Sequence, residues 1–335
     1  RATDRAARRV LGPLLGRGRV PVVAGFLGAT QSGAVATLGR GGSDLTATLL
    51  GRALGAERVC LWKDVPGLLT ADPRVVPDAR VIPQLHPREA GELAYYGAKV
   101  LHPRALIPLV ARTIPVFVRP FADPSAAGTE VSRRRVKDEH PIRALSAMRA
   151  QALLTVSGNG MLGVPGVAAR AFGALERAGI SVSLITQASS EQSICFTVPD
   201  AAAQGATQSL EHAFERELHA GLIETISART GLCTIAVVGL GMAGRPGIAA
   251  RVFSALAAGG VNVVAIAQGS SELNISFVIP DADAGTAQRR IHEAFQLSKI
   301  GGGAAESSDH ADVILLGLGR IGRALATQLA KDRRV

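Results

Sequence analysis

Part of this chain is written twice. Residues 158–200, GNGMLGVPGVAARAFGALERAGISVSLITQASSEQSICFTVPD, recur as residues 239–281, GLGMAGRPGIAARVFSALAAGGVNVVAIAQGSSELNISFVIPD, offset by 81 residues with no gap. Gly158, Met161, Pro165, Ala169, Arg170, Phe172, Leu175, Gln187, Glu191, Ile194 and Phe196 each find their own residue type 81 positions on. A repeat of this period means one supersecondary unit used twice.

Each copy reads as strand, turn, helix, strand, strand, helix. In the first, Leu153 to Val156 is an apolar run ending in glycine. Pro165 pre-sets φ for a helix start, where its missing N–H costs nothing. Val167, Ala168, Ala171, Phe172 and Leu175 fall at helical spacing and form one apolar stripe. Gly179 ends that helix. Ile180, Val182 and Leu184 alternate with serines as in a half-buried strand, and Ile194, Phe196 and Val198 repeat the alternation. Ala206 to Leu218 reads as a second helix. The pattern is a small ferredoxin-like α/β sandwich, used twice.

The flanks differ. Residues 1–131 read as another α/β unit. It has an apolar strand at Arg19 to Phe26, a helix capped by Ser43 and running through Leu54, and a strand at Arg58 to Trp62. Residues 65–85 form a Pro-rich extended loop or hairpin, followed by helices at Glu89 to Tyr96 and Ala105 to Ala111 and a strand at Ile114 to Val118. The expected division is 1–131, a linker at 132–150, the two copies at 151–230 and 231–300, a linker at 301–310, and a first βα unit at 311–335. At 335 residues the chain has room for two or three domains. It begins with Arg, which reads as a start inside a longer product.

Composition excludes some partners. The net charge is +10, but only 4% of residues are aromatic, and single-stranded nucleic acid needs stacking platforms. Arg outnumbers Lys 32 to 5, spread along the chain. The one basic run, Arg133 to Lys137, reads as a solvated linker. No run approaches the ~20 apolar residues of a membrane span. Cys60, Cys195 and Cys233 lack metal-ligand spacing, and they read as buried thiols in a reducing cytoplasm. The histidines, His86 and His102 among them, also lack metal spacing and read as surface or capping groups.

Three segments match G-x-G-x-x-G: 158–163, 239–244 and 317–322. The first two lie inside a module too small for a dinucleotide fold. The third follows the apolar run Val313 to Leu316 and precedes a helix, so Gly317, Gly319 and Gly322 read as a Rossmann pyrophosphate turn. A second anion-binding signal is Thr37-Leu38-Gly39-Arg40-Gly41-Gly42-Ser43-Asp44. Its glycines allow close backbone approach, the helix behind them offers a positive dipole end, and Arg40 carries a planar fork for carboxylate or phosphate. On chemistry alone an ordinary glycine turn explains it equally well. Asp44 could hold a substrate ammonium. Arg74 and Lys99 are candidate phosphate clamps, against the plainer reading of surface cations.

Together, ATLGRGGSDLTATLLG (36–51), DVPGLLTADPRVVPDARVIPQL (64–85), ELAYYGAKVLHPRALIPL (92–109) and PSAAGT (124–129) resemble the aspartate kinase family. The duplicated module resembles a pair of ACT domains. ITQASSE (185–191) and its counterpart are similar to the bifunctional, threonine-regulated form, and ADVILLGLGRIGRAL (311–325) is similar to the opening of homoserine dehydrogenase. The resemblance implies a partial amino-acid-kinase domain, tandem ferredoxin-like ACT domains and a Rossmann start.

It further implies phosphorylation of the L-aspartate β-carboxylate by ATP with Mg²⁺, and NADP or NAD in the full-length parent. By position, Arg40 would grip aspartate, with Ser43 and Asp44 in the same pocket. Lys63, Asp64, Leu69, Arg74, Lys99 and Val100 would lie at the nucleotide. Gln187 and Gln268 would bind the feedback amino acid, threonine, with Asn274 beside the second. A homo-oligomer through the ACT sheets is implied.

The chain departs from the family pattern in three places: Lys63 replaces a Thr, Leu69 an aromatic residue, and Arg119-Pro120 the usual Asn-Thr. The family's N-terminal Lys-x-Gly-Gly segment is outside these residues, so the expectation for the chain alone is no kinase turnover. The alternative role is a threonine-binding regulatory module.

Overall fold

The computed structural model describes residues 2–97, 100–110, 113–134, 140–187 and 192–301. These form two compact units. Among the described residues, the first holds those up to Ala144, the short turn Val238–Gly241 and residues 295–301, and the second holds Leu145–Val237 with Met242–Ala294.

The first unit opens with α1 (Ala2–Leu15), followed by a hairpin of β1 (Leu27–Ala29) and β2 (Val35–Thr37). Then come α2 (Gly42–Leu54), β3 (Val59–Lys63), β4 (Gln84–Leu85), α3 (Pro87–Tyr95), α4 (Pro103–Val110), β5 (Val116–Pro120) and β6 (Thr129–Val131). The four-stranded sheet has the order β3-β5-β6-β4. Strands β3 and β5 are parallel, in register from Val59 opposite Val116 to Lys63 opposite Pro120. Ala7 of α1 packs on Leu50 and Ala53 of α2, and Asp4 bonds Arg52 at 2.6 Å.

The expected strand at residues 19–26 is not formed, since residues 19–24 carry no regular structure. Its apolar run could line a sheet, but a strand exists only where a neighbour completes its ladder. Residues 65–85 do fold back as a hairpin. Leu69 bridges Val81, Thr70 N–H donates to the Arg80 carbonyl, and Ile82 N–H donates to the Leu68 carbonyl.

In the repeats, the first copy supplies β7 (Ala144–Ser157), α5 (Val167–Arg177), β8 (Ile185–Gln187), β9 (Ser193–Pro199), α6 (Ala203–Ala213) and α7 (Glu215–His219). The second supplies β10 (Thr225–Val238), α8 (Ile248–Ala258), β11 (Ala265–Gln268), β12 (Asn274–Pro280) and α9 (Ala284–Ala294). All six strands share one sheet, in the order β11-β12-β10-β7-β9-β8. Under its first half, Leu154, Val156, Phe196 and Val198 pack against Ala171, Leu175, Leu210 and Phe214 of the helices.

The copies are less self-contained than the repeat implied. The long central strands run past each other, with Glu224 N–H donating to the Ser157 carbonyl and Arg143 N–H to the Val238 carbonyl, each at 2.8 Å. Each copy therefore lends a strand half to the other. Gly179 ends α5 in the left-handed region, as expected. The helix expected at 206–218 breaks at Phe214, whose φ of −116° leaves the helical range.

Two of the cysteines, Cys60 and Cys233, are buried, and Cys195 is half-buried. Burial pushes the Cys233 thiol up to about 12. His86 and His102 cap helices through Nδ1, accepting from Arg88 N–H and Arg104 N–H. His292, by contrast, is buried in the last turn of α9 and is not a surface group. Residues 302–335, with the expected Rossmann start at Gly317, Gly319 and Gly322, lie outside the described residues, as does Lys99.

Candidate active site and effector site

The candidate active site gathers at the carboxyl ends of the parallel strands β3 and β5, where loops of such sheets hold ligands. Its first wall is the turn before α2. Gly39 and Gly41 are both left-handed, with φ of 73° and 72°. The helix starts at Gly42 with Gly41 as its cap, two positions earlier than the Ser43 cap the sequence implied. Ser43 is thereby released from capping and stands exposed in the first turn beside Asp44. Arg40, between the two left-handed glycines, is exposed. Gly25 lies against Ser43: a Cβ there would meet the Ser43 side chain at 3.3 Å.

The second wall is the segment between α3 and α4. A Cβ on Gly41 would meet His102 Cβ at 2.4 Å, so the turn packs on the His102 side chain where only glycine fits. That contact brings residues 100–103, with half-buried Val100, onto the Arg40 turn. Sequence reasoning treated His102 as a surface or capping group. Nothing local marks its second role, because the partner is 61 positions away.

At the floor, the Lys63 ammonium donates to both Asp44 oxygens at 2.8 Å. The side chains are 22% and 15% exposed, so the pair is largely shielded. The sequence reading separated these residues, giving Asp44 to a substrate ammonium and Lys63 to the nucleotide. In the fold they satisfy each other. Lys63 stands opposite Pro120 and Trp62 opposite Arg119, so two of the departures from the family pattern are neighbours across one ladder.

The remaining expected residues line the loop after β3. Asp64 is exposed and Leu69 half-buried in its bridge. Arg74 pairs within its own loop, with Nη2 at 2.7 Å and Nε at 3.0 Å from the Asp72 carboxylate. That hydrogen bond holds Asp72 below the usual carboxylate range and raises Arg74. At 87% exposure the guanidinium is open to an anion. No group of three or more His, Cys, Asp or Glu is placed to hold a metal among the described residues.

In the repeats, Gln187 ends β8 beside an open crevice of about 150 Å³ lined by Met161, Val164, Gly166, Val167, Ala168 and Ile194. Gln268 ends β11 at the equivalent position, paired with Ile275 as Gln187 is with Ile194. Asn274 begins β12, its Oδ1 3.4 Å from Ser276 Oγ. The two glutamines are thus structural equivalents, and Asn274 adjoins the second.

Comparison with known proteins identifies the family of each part of the chain. The amino acid kinase family matches residues 2–120, and the ACT domain matches residues 154–214 and 235–295. The bifunctional aspartokinase/homoserine dehydrogenase of Haemophilus influenzae is 41% identical over 331 residues, 98% of this chain but 39% of that protein. The chain therefore spans well under half of that relative. The crystal structure of E. coli aspartokinase III with aspartate and ADP superposes with a TM-score of 0.73 at 37% identity, over 87% of this chain and 64% of that one. The same enzyme with lysine and aspartate gives 0.69 at 39%, over 87% and 63%. No described helix is long and apolar enough to cross a membrane. An amino-acid-kinase sheet followed by two ACT copies, in an order shared with these relatives, places the chain in the aspartokinase family.

Proposed function

We propose that this chain is the internal part of an aspartate kinase that transfers the ATP γ-phosphoryl group to the L-aspartate β-carboxylate under amino-acid feedback, in a parent that also carries homoserine dehydrogenase. The observation that carries the proposal is the junction of the Arg40 turn, the Lys63–Asp44 floor and the His102 segment. Phosphoryl transfer is mostly positioning and charge neutralisation. Arg40 would clamp aspartate, the α2 amino end and Lys63 would neutralise developing charge, and Arg74 and Lys99 would hold phosphates.

Mg²⁺ usually takes only one or two protein carboxylates beside nucleotide phosphates. With Asp44 engaged by Lys63, Asp64 is the residue suited to it. Bound there, the ion would neutralise the phosphate oxygens. NADP or NAD would belong to the dehydrogenase that residues 311–335 begin, and the expected domain division accompanies this reading.

The effector assigned to Gln187, Gln268 and Asn274 is threonine, on the resemblance to the bifunctional form. The crystallised E. coli relative binds lysine. Calorimetric titration of this chain with threonine, lysine and methionine discriminates, and heat with lysine alone would replace threonine. Strands β8 and β11 end the six-stranded sheet with Ile185 and Ile266 exposed, which suits pairing of sheets between subunits. A strict monomer in light scattering would remove that part.

For catalysis, Arg40→Met in the parent protein should raise the aspartate KM at least tenfold, about 1.4 kcal/mol, with the ATP KM within threefold. An unchanged aspartate KM would overturn the assignment. The chain alone should show no turnover above a Lys99→Ala control.

A further inference from the structure

One buried carboxylate belongs to neither site. Glu89, in the first turn of α3, is 4% exposed. Its Oε2 accepts from His86 N–H at 2.9 Å, closing a capping box on α3. Its Oε1 accepts from Leu240 N–H at 2.8 Å, 151 residues away. Leu240 lies in the glycine turn that opens the second ACT copy, and this turn belongs to the first compact unit.

The turn is held by shape as well. A Cβ on Gly239 would meet the Pro141 carbonyl at 2.3 Å, and one on Gly241 would meet Pro141 Cα at 2.8 Å. Arg143, buried two residues on, donates to the Gln84 carbonyl at 2.7 Å, three residues before α3. The first copy repeats the packing without the link. Gly158 and Gly160 press on Leu222 and Ile223, and Asn159, the counterpart of Leu240, bonds Glu224 within its own module. The two G-x-G motifs thus allow close backbone packing, and among the described residues the second is the one bonded to α3.

We infer that Glu89 is a positioning residue that fixes the second ACT turn to the start of α3, so that a displacement of the turn moves the helix leading into the segment of Lys99 and His102. A carboxylate can accept at both oxygens. A carboxamide accepts at one and presents N–H at the other. Glu89→Gln therefore keeps the volume and breaks one of the two bonds; the carbonyl oxygen stays with the capping box closed within one turn of α3, so the bond lost is the long-range one to Leu240.

The test is amide hydrogen exchange on the full 335-residue chain, comparing wild type with Glu89→Gln and, as a second variant, Glu89→Asp, whose shorter side chain cannot span both donors. The Leu240 amide should exchange at least tenfold faster in both. The Gly160 amide, bonded to the Leu222 carbonyl at 2.9 Å, should stay within twofold. Equal protection of Leu240, or equal acceleration at Gly160, would overturn the inference, the latter because it reports global loosening.

A second arm rests on the effector reading proposed above. With effector bound, exchange across residues 86–96 should change in wild type and not in Glu89→Gln, while calorimetric affinity stays within threefold. An undiminished response in Glu89→Gln would overturn the coupling role. Absence of effector heat in wild type would sink the effector reading, and the ligand-free comparison would still decide the role of Glu89.

Discussion

Replacing Gly41 by alanine tests whether the substrate turn and the His102 segment share one cleft. Two costs should arise. At φ 72° an L-residue pays about 1–2 kcal/mol for the left-handed region. The new Cβ would also sit 2.4 Å from His102 Cβ, and overpacking of this kind costs about 1–3 kcal/mol. Gly39 is the internal control. Its φ is 73°, yet nothing lies within 4 Å of an added Cβ, so Gly39→Ala should cost only the backbone part. The only tryptophan, Trp62, sits in β3 next to Lys63 and reports unfolding of this unit. By urea titration of its fluorescence, Gly41→Ala should lose about 2–5 kcal/mol and Gly39→Ala about 1–2. In a His102→Gly background the Gly41→Ala cost should fall towards that of Gly39→Ala, because the clashing His102 Cβ is gone. If the two substitutions at 41 and 102 simply add, the residues do not press on each other and the cleft argument fails.

Three further outcomes follow from local geometry. Lys63→Met should cost about 1.5–3 kcal/mol by leaving the Asp44 carboxylate without its cation, and Lys63→Met with Asp44→Asn should recover part of it; an unaltered Trp62 transition in the single variant would show the pair contributes nothing. Ala150 has φ 53°, whereas its repeat counterpart Gly231 has φ 70°, so Ala150→Gly should stabilise by about 0.5–1 kcal/mol and Gly231→Ala should destabilise by at least that, read by calorimetry of the repeat transition. Burial holds the His86 imidazole below its ordinary value, and its Nδ1 must stay unprotonated to accept from Arg88. The native state then binds fewer protons than the unfolded chain, so stability should drop as pH falls below about 6.5, levelling off beneath the folded value. His86→Asn keeps a cap without titrating, and stability profiles of equal slope in both proteins would contradict this account.

What the residue order determined was whatever depends on neighbours along the chain. The repeat, its helices with their apolar stripes, the glycine stop at 179 and the hairpin of residues 65–85 all follow from local spacing and turn chemistry. The Arg40 turn was legible for the same reason, since paired glycines before a helix permit few conformations. Tertiary structure decided what needs a partner from elsewhere. Residues 19–24 have the apolar content of a strand but form no ladder. Lys63 and Asp44 looked like members of separate sites until β3 and α2 set them 2.8 Å apart. The repeats read as two closed modules, whereas their long strands exchange halves across one sheet, because edge hydrogen bonds are satisfied by whichever strand packs alongside. Glu89 carries no signal at all in sequence. Its second oxygen finds the Leu240 amide only because the chain returns there after 151 residues, and proximity of that kind is a property of packing, not of order.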